Sequence, residues 1–251
     1  MKLTLLEMVQ DILNDMDSDN VNSIDDTVEA QQVAQILKTC YHEMMTNRNW
    51  PHQRKLVQLE ALANPSRPNY LYLPENVKEL ETFSYDKRKF GEVDPRIDVV
   101  KFKEPDDFLR YVSLRKESND NVIPVTDFSG STLLIINDTA PTYWTSFDDT
   151  YIITDSYDAG VDTTLRKSKT QCLAYVYDSW VHEDDAIPVM PASAFSGYLE
   201  EAKSTAFFVI KQMANQKAEQ KASRQQRWLS RKAWRAHGGV RYEDYGRKSR
   251  K

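Results

Sequence analysis

Hydrophobic residues fall along this 251-residue chain in three textures. Near the N-terminus Leu6, Val9, Leu13 and Met16 recur at helical spacing. Ahead of them Thr4-Leu5-Leu6-Glu7 has the spacing of a capping box, in which the threonine hydroxyl accepts the amide of the third helical residue and the glutamate returns the bond. The polar run 17–22 ends this helix. Ser23-Ile24-Asp25-Asp26 reads as a second helix start, and Val33, Ile36, Leu37, Cys40, Tyr41, Met44 and Met45 form a stripe that closes near Asn47. The pattern predicts a helical hairpin with one apolar face.

From Trp50 to about Ile187 the runs shorten. KLVQLEAL, NYLYL, ELETFSY, IDVVKF, STLLIIN, TYWTSF, TYIIT and KTQCLAYVY are rich in β-branched and aromatic residues and are separated by turn residues, which predicts about eight strands in a sandwich or barrel. Within this region, 105–116 places Phe108, Leu109 and Val112 at helical spacing behind Pro105 and two acids, the pattern of a short helix over one end of the sheet.

The third texture begins at PVMPASAF. Phe195, Tyr198, Leu199, Ala202, Ala206, Val209, Ile210 and Met213 share one helical face behind Pro191 and Ser193. After Met213 the apolar stripe stops, yet no glycine or proline interrupts the helix formers before Gly238-Gly239. A continuous helix over 193–236 would be about 66 Å long at ~1.5 Å per residue, so its second half is expected to project. The expected class is therefore α+β: an N-terminal helical hairpin and a long C-terminal helix packed with a central β-sandwich or barrel, ending in a basic arm. Its expected domains are a helical bundle of 1–49 with 190–216, a β-rich domain of 50–189, and a projecting basic helix with a flexible tail over 217–251.

Charge sharpens that division. The chain carries a formal −5 in all, but 217–251 holds twelve Lys or Arg against three acids, a charge of +9; the remaining 21 basic and 35 acidic residues give 1–216 a charge of −14. At about 100° per residue, Lys217, Lys221, Arg224, Arg227, Trp228, Arg231 and Arg235 fall in a strip about 120° wide, a cationic face with an indole set into it. Two readings of that face belong to different classes. Lys and Arg could neutralise phosphates while Trp228 or Trp234 stacks on bases, or the helix could dock in an acidic groove of a protein partner with tryptophans filling pockets. A solvated helix end with no partner is the plain alternative.

Little else carries chemistry. The paired acids at Asp25-Asp26, Asp106-Asp107, Asp148-Asp149, Asp184-Asp185 and Glu200-Glu201 suit helix first turns, strand connections and solvated faces. His42, His52, His182 and His237 show no metal-ligand spacing, and no Gly-x-Ser-x-Gly or phosphate-binding glycine loop occurs. The expectation is a non-enzyme without metal or cofactor. Cys40 and Cys172 read as reduced core thiols, Trp50 and Tyr72 as core anchors, and the acid-bearing amphipathic start as neither signal peptide nor membrane span, which points to synthesis in a cytosol.

The order of parts adds a resemblance. EAQQVAQILKTCYHEMMTNRNWPHQRKLVQL, then NYLYLPENVKELETFSYD, a β-rich middle, PVMPASAFSGYLEEAKSTAFFVIKQMANQKAEQ and the terminal RQQRWLSRKAW resemble the head-to-tail adaptors of short-tailed bacteriophages, the tail tubular protein A type. The resemblance implies a structural virion protein of the neck, made in the host cytoplasm. It implies a ring of about twelve copies beneath the portal that joins capsid to tail and passes the genome during ejection. The implied partners are the portal protein, neighbouring copies and downstream tail or nozzle proteins, with genomic DNA crossing the lumen unbound and no membrane involved. The implied portal contacts are Lys217, Lys221, Arg224, Arg227, Trp228, Arg231, Trp234, Arg235, Arg241, Tyr242 and Tyr245, on an arm longer and more basic than in the simplest members. A nucleic-acid-binding accessory protein that uses the same tail is the alternative function.

Overall fold

The computed structural model of the chain describes residues 2–89 and 91–235, with side chains described through 229. Five helices are present among them: α1 (Leu5–Asp15), α2 (Val28–Thr46), α3 (Pro105–Ser113), α4 (Ala192–Lys211) and α5 (Gln216–Arg235). The strands are β1 (Arg54–Val57), β2 (Glu60–Ala61), β3 (Tyr70–Tyr72), β4 (Val77–Asp86), β5 (Ile97–Phe102), β6 (Val122–Thr126), β7 (Thr132–Ile136), β8 (Tyr143–Thr145), β9 (Tyr151–Thr154) and β10 (Thr170–Val176). The chain forms two compact units, one of Met1–Gln53 with Asp178–Lys251 and one of Arg54–Tyr177.

The first unit is helical. Its α1 starts where the sequence indicates: the Glu7 amide donates to Thr4 Oγ1 at 3.2 Å and the Thr4 amide donates to Glu7 Oε2 at 2.8 Å. The start of α2 differs. Thr27, not the 23–26 segment, caps it, its hydroxyl accepting from Ala30 N at 3.1 Å, while Asp26 accepts the amides of Asn22 and Ser23 and so closes a turn before the helix. Leu5, Met8, Val9, Ile12 and Leu13 of α1, Val33, Leu37 and Tyr41 of α2, and Phe195, Tyr198, Ala202 and Ala206 of α4 form one core. Two buried hydroxyls are satisfied within it, Tyr198 donating to the Leu37 carbonyl at 2.9 Å and Tyr41 to the Val189 carbonyl at 3.1 Å.

Residues 178–189 belong to this unit rather than to the β domain expected to run to 189. The reason is local: the Ala186 carbonyl accepts the Leu5 amide at 2.8 Å, Asp184 accepts that of Leu6 at 3.1 Å, and Trp180 packs on Tyr41 with ring centroids 5.1 Å apart. The returning chain thus satisfies amides of the first turn of α1 that have no partner within their own helix.

The second unit is a curled, half-barrel sheet of eight strands in the order β1-β10-β4-β5-β8-β9-β3-β2, with β6 and β7 as a separate two-stranded ribbon. Only Gln58 and Leu59 separate β1 from β2, so the two edges of the sheet are neighbours in the chain and the sheet must curl to bring them together. Register shifts in the β4–β10 pairing at Leu173/Ala174 and Tyr175/Val176 accompany the bend, as bulges do. A two-sheet sandwich is therefore not the arrangement. The ribbon strand β6, VIPVT, was absent from the expected strands because Pro124 breaks its pattern; in a two-stranded ribbon a residue lacking an amide proton is tolerated. The helix α3 starts at Pro105 as expected and buries Phe108 and Val112, leaving Leu109 at the surface.

A buried ion pair ties this unit together. Arg115 Nη2 donates to Asp155 Oδ2 at 3.0 Å with side-chain exposures of 9% and 3%, while Arg115 Nη1 donates to the carbonyls of Leu134 (3.0 Å) and Asp155 (2.6 Å). The other carboxylate oxygen of Asp155 accepts the amides of Thr142 (3.0 Å) and Tyr143 (2.8 Å). One acid thus joins the end of α3, the ribbon and the start of β8.

The largest departure from the sequence expectation lies in the C-terminal helix. It is not continuous: Gln212 takes a left-handed conformation (φ 53°, ψ 30°), the Phe207 carbonyl accepts the amides of both Gln212 and Met213, and the chain reverses before Asn215 caps α5. The Asn215 side chain accepts the Ala218 amide at 3.1 Å, the usual service of an asparagine at a helix N-cap. The α5 helix then folds back along α4 instead of projecting.

Candidate functional site

The α4–α5 hairpin sets out which part of the basic helix can meet a partner. Ala218, Ala222 and Leu229 are buried and Gln225 is half-buried, a stripe at spacings of four, three and four that turns toward α4. Small residues let the two helices approach closely. A Cβ placed on Gly197 of α4 would lie 2.8 Å from Gln225 Cγ, so only glycine fits there without displacing α5. The polar rim of the contact is matched: Lys221 Nζ donates to Glu200 Oε1 at 2.8 Å, Gln225 Nε2 to the Ser193 carbonyl at 3.0 Å, and Gln226 Nε2 to Glu201 Oε2 at 3.4 Å.

With that stripe turned inward, the cationic strip lies on the flank and outer side of α5. Lys217, Arg224 and Arg227 are exposed, and Trp228 is 47% exposed. Together with Gln216, Glu219, Gln220 and Ser223, the residues Arg224, Arg227 and Trp228 line one shallow concavity on α5, in which two cations outnumber the single acid. Lys221 is set apart from them, because its charge is matched by Glu200 of the same chain. Arg231, Trp234 and Arg235 continue the helix, but their side chains lie outside the described residues, and Arg241, Tyr242 and Tyr245 lie outside them altogether. The structure thus brings Arg224, Arg227 and Trp228 together and assigns Lys221 a bond within the hairpin.

One carboxyl of the hairpin, Glu201 of α4, is held off its ordinary titration by its surroundings. Burial, followed by the charges of Glu43 and Glu219, raises the Glu201 carboxyl above the ordinary glutamate range. Elsewhere in the unit two acids meet one base: Lys203 of α4 reaches Asp11 and Asp15 of α1, each at 2.7 Å. Burial alone would depress its ammonium, and the two carboxylates more than reverse that and raise it.

The β unit contributes a second surface that the alternating pattern did not indicate. The first half of β4, the end of β5, β8 and the N-terminus of α3 enclose a groove of about 850 Å³ whose apolar lining includes Leu80, Val99, Phe102 and Trp144. Val99 and Phe102 are 57% and 50% exposed there. Sequence alternation names the residues on a face but cannot say which face is covered; the groove arises because β5 pairs β4 only along Phe83–Asp86.

Among the described residues no group of three His, Cys, Asp or Glu side chains is placed to hold a metal ion, and no helix is long and apolar enough to cross a membrane. Cys40 and Cys172 are buried free thiols, with burial pushing them up to about 11 and about 12. Comparison with models of known protein families and with curated proteins finds no match.

Proposed function

We propose that the chain is a head-to-tail adaptor of a short-tailed bacteriophage, a structural virion protein that assembles as a ring below the portal and lets the genome pass. The observation that carries the reading is a cationic, indole-bearing helix face presented by a chain whose first 216 residues sum to −14. An acidic wall repels duplex phosphates, so DNA slides without sticking, while a compact basic face suits a protein partner that offers carboxylates. The sequence segments that resemble the tail tubular protein A type lie on α2 and β1, on β3 and β4, and on α4 and α5, so the resemblance spans elements of both units. In this reading Arg224, Arg227 and Trp228 contact the portal, and the apolar groove of the β unit contacts neighbouring copies or the next tail component.

The test is charge reversal on the outer face. Arg224→Glu with Arg227→Glu should abolish co-sedimentation with the portal ring while moving the thermal midpoint by less than about 2 °C, since exposed charges contribute little to folding. Portal binding that survives the double reversal counts against the proposed contact. The nucleic-acid alternative predicts a different loss, that of salt-sensitive DNA binding, with portal binding absent from the start.

A further inference from the structure

The α4–α5 hairpin is closed by a turn its sequence does little to enforce. Residues 212–215 read Gln-Met-Ala-Asn, with no glycine or proline, and Gln, Met and Ala are good helix formers. The reversal depends on Gln212 at φ 53°, a region that costs a side-chain-bearing residue free energy in which glycine sits freely. Short, strained hinges of this kind invite exchange of the element that follows them.

The seam between the helices has a phase that continues through the turn. Positions 197, 201, 204 and 208 of α4 step by four, three and four, as do positions 218, 222, 225 and 229 of α5, and 211 and 215 would join the two runs without a break. Phe208 sits on this seam, close to the turn, yet is 68% exposed. The two helices are also equal in length, 20 residues each.

We infer that α5 exchanges between two copies of this chain. With 212–215 helical, α4 and α5 form one straight helix, and two such helices lie antiparallel so that each α5 covers the α4 of the other copy. Equal lengths let the Lys221–Glu200 and Gln225–Ser193 bonds re-form across the pair, now between chains. Extending that pairing inward puts the two-fold axis near residue 211, so Phe208 of each copy faces the rebuilt helical turn, 212–215, of the other and is covered by it. The partner is a second copy rather than another protein, because the Lys221–Glu200 and Gln225–Ser193 bonds between the helices are kept, while the turn bonds of the Gln212 and Met213 amides to the Phe207 carbonyl and the Asn215 cap on Ala218 are exchanged for helical ones. The pair is two-fold symmetric whereas a cyclic ring repeats a head-to-tail contact, so this is a form of the free chain and does not rest on the adaptor reading.

Mixing two full-length single-cysteine variants, Glu200→Cys and Lys221→Cys, and linking them with a short bis-maleimide tests the exchange. Covalent dimers joining the two variants are expected, rising with protein concentration, while the native chain with its buried Cys40 and Cys172 gives none. Phe208→Asp, which alters an exposed residue of the closed hairpin, should abolish the dimers while leaving linkage intact within a chain that carries both cysteines. Linkage confined to single chains at every concentration overturns the exchange, as does a dimer yield indifferent to Phe208→Asp. Since no portal is present, either result leaves portal binding to be judged separately.

Discussion

Arg115→Met provides a sharp test of how the β unit is held. The substitution keeps most of the aliphatic volume and removes three hydrogen bonds, to Leu134 O, Asp155 O and Asp155 Oδ2 at 3.0, 2.6 and 3.0 Å. What remains is the Asp155 carboxylate, 3% exposed, with its cation gone. Removing one partner of a buried pair costs about 3–5 kcal/mol, because the surviving charge is left uncompensated. For a unit of this size roughly 4 °C accompanies each kcal/mol, so the midpoint should fall by about 12–20 °C. Adding Asp155→Asn removes the stranded charge yet keeps an acceptor for the amides of Thr142 and Tyr143, so the double variant should recover about 2 kcal/mol relative to additive losses. Hydrogen exchange of the β7 and β9 amides across a urea series reads the effect on this unit alone. A loss below about 1 kcal/mol for Arg115→Met would refute the reasoning and show that Asp155 draws its compensation from the amides of Thr142 and Tyr143.

Two further outcomes concern the hairpin. Gly197→Val places side-chain carbon against Gln225 and Leu229, so α5 amides should lose exchange protection while those of α1 and α2 keep theirs; unchanged α5 protection would show that the helices do not pack as described. Glu201→Gln should raise the thermal midpoint at neutral pH. A carboxyl raised in the folded state supports folding below its unfolded value of about 4.3 and loses that support as pH rises through the folded value. The advantage of the variant should therefore vanish on acidification, and a variant less stable than the native chain at neutral pH contradicts the burial of the Glu201 carboxylate and its repulsion by Glu43 and Glu219.

Local signals in the sequence were decisive where a single side chain does the work. Thr4 with Glu7 marks the start of α1, and Pro105 with two acids marks α3, because a cap needs only near neighbours. The α4–α5 break shows the limit. Asn215 is a legible N-cap, and Ala218, Ala222 and Leu229 form a legible apolar stripe, but the cationic side of the same helix and the lack of glycine spoke for continuity. Nothing local could announce that Gln212 would turn left-handed; that choice is made by the contact of α5 with α4, and tertiary contacts override propensity. The same holds at the edges of the β unit, where 178–189 is placed by its bonds to the first turn of α1 and not by its own pattern. The outer face of α5 was readable as charge, whereas the assignment of Lys221 to Glu200 needed the fold.

The measurement that bears most directly on the adaptor reading is co-sedimentation of the full chain with the portal ring of the same virus, repeated with duplex DNA in its place near physiological salt. The account predicts a stable complex with the portal and no measurable affinity for DNA. A chain that ignores the portal but binds DNA, with affinity falling steeply as salt rises, would contradict it and make the basic helix a nucleic-acid contact.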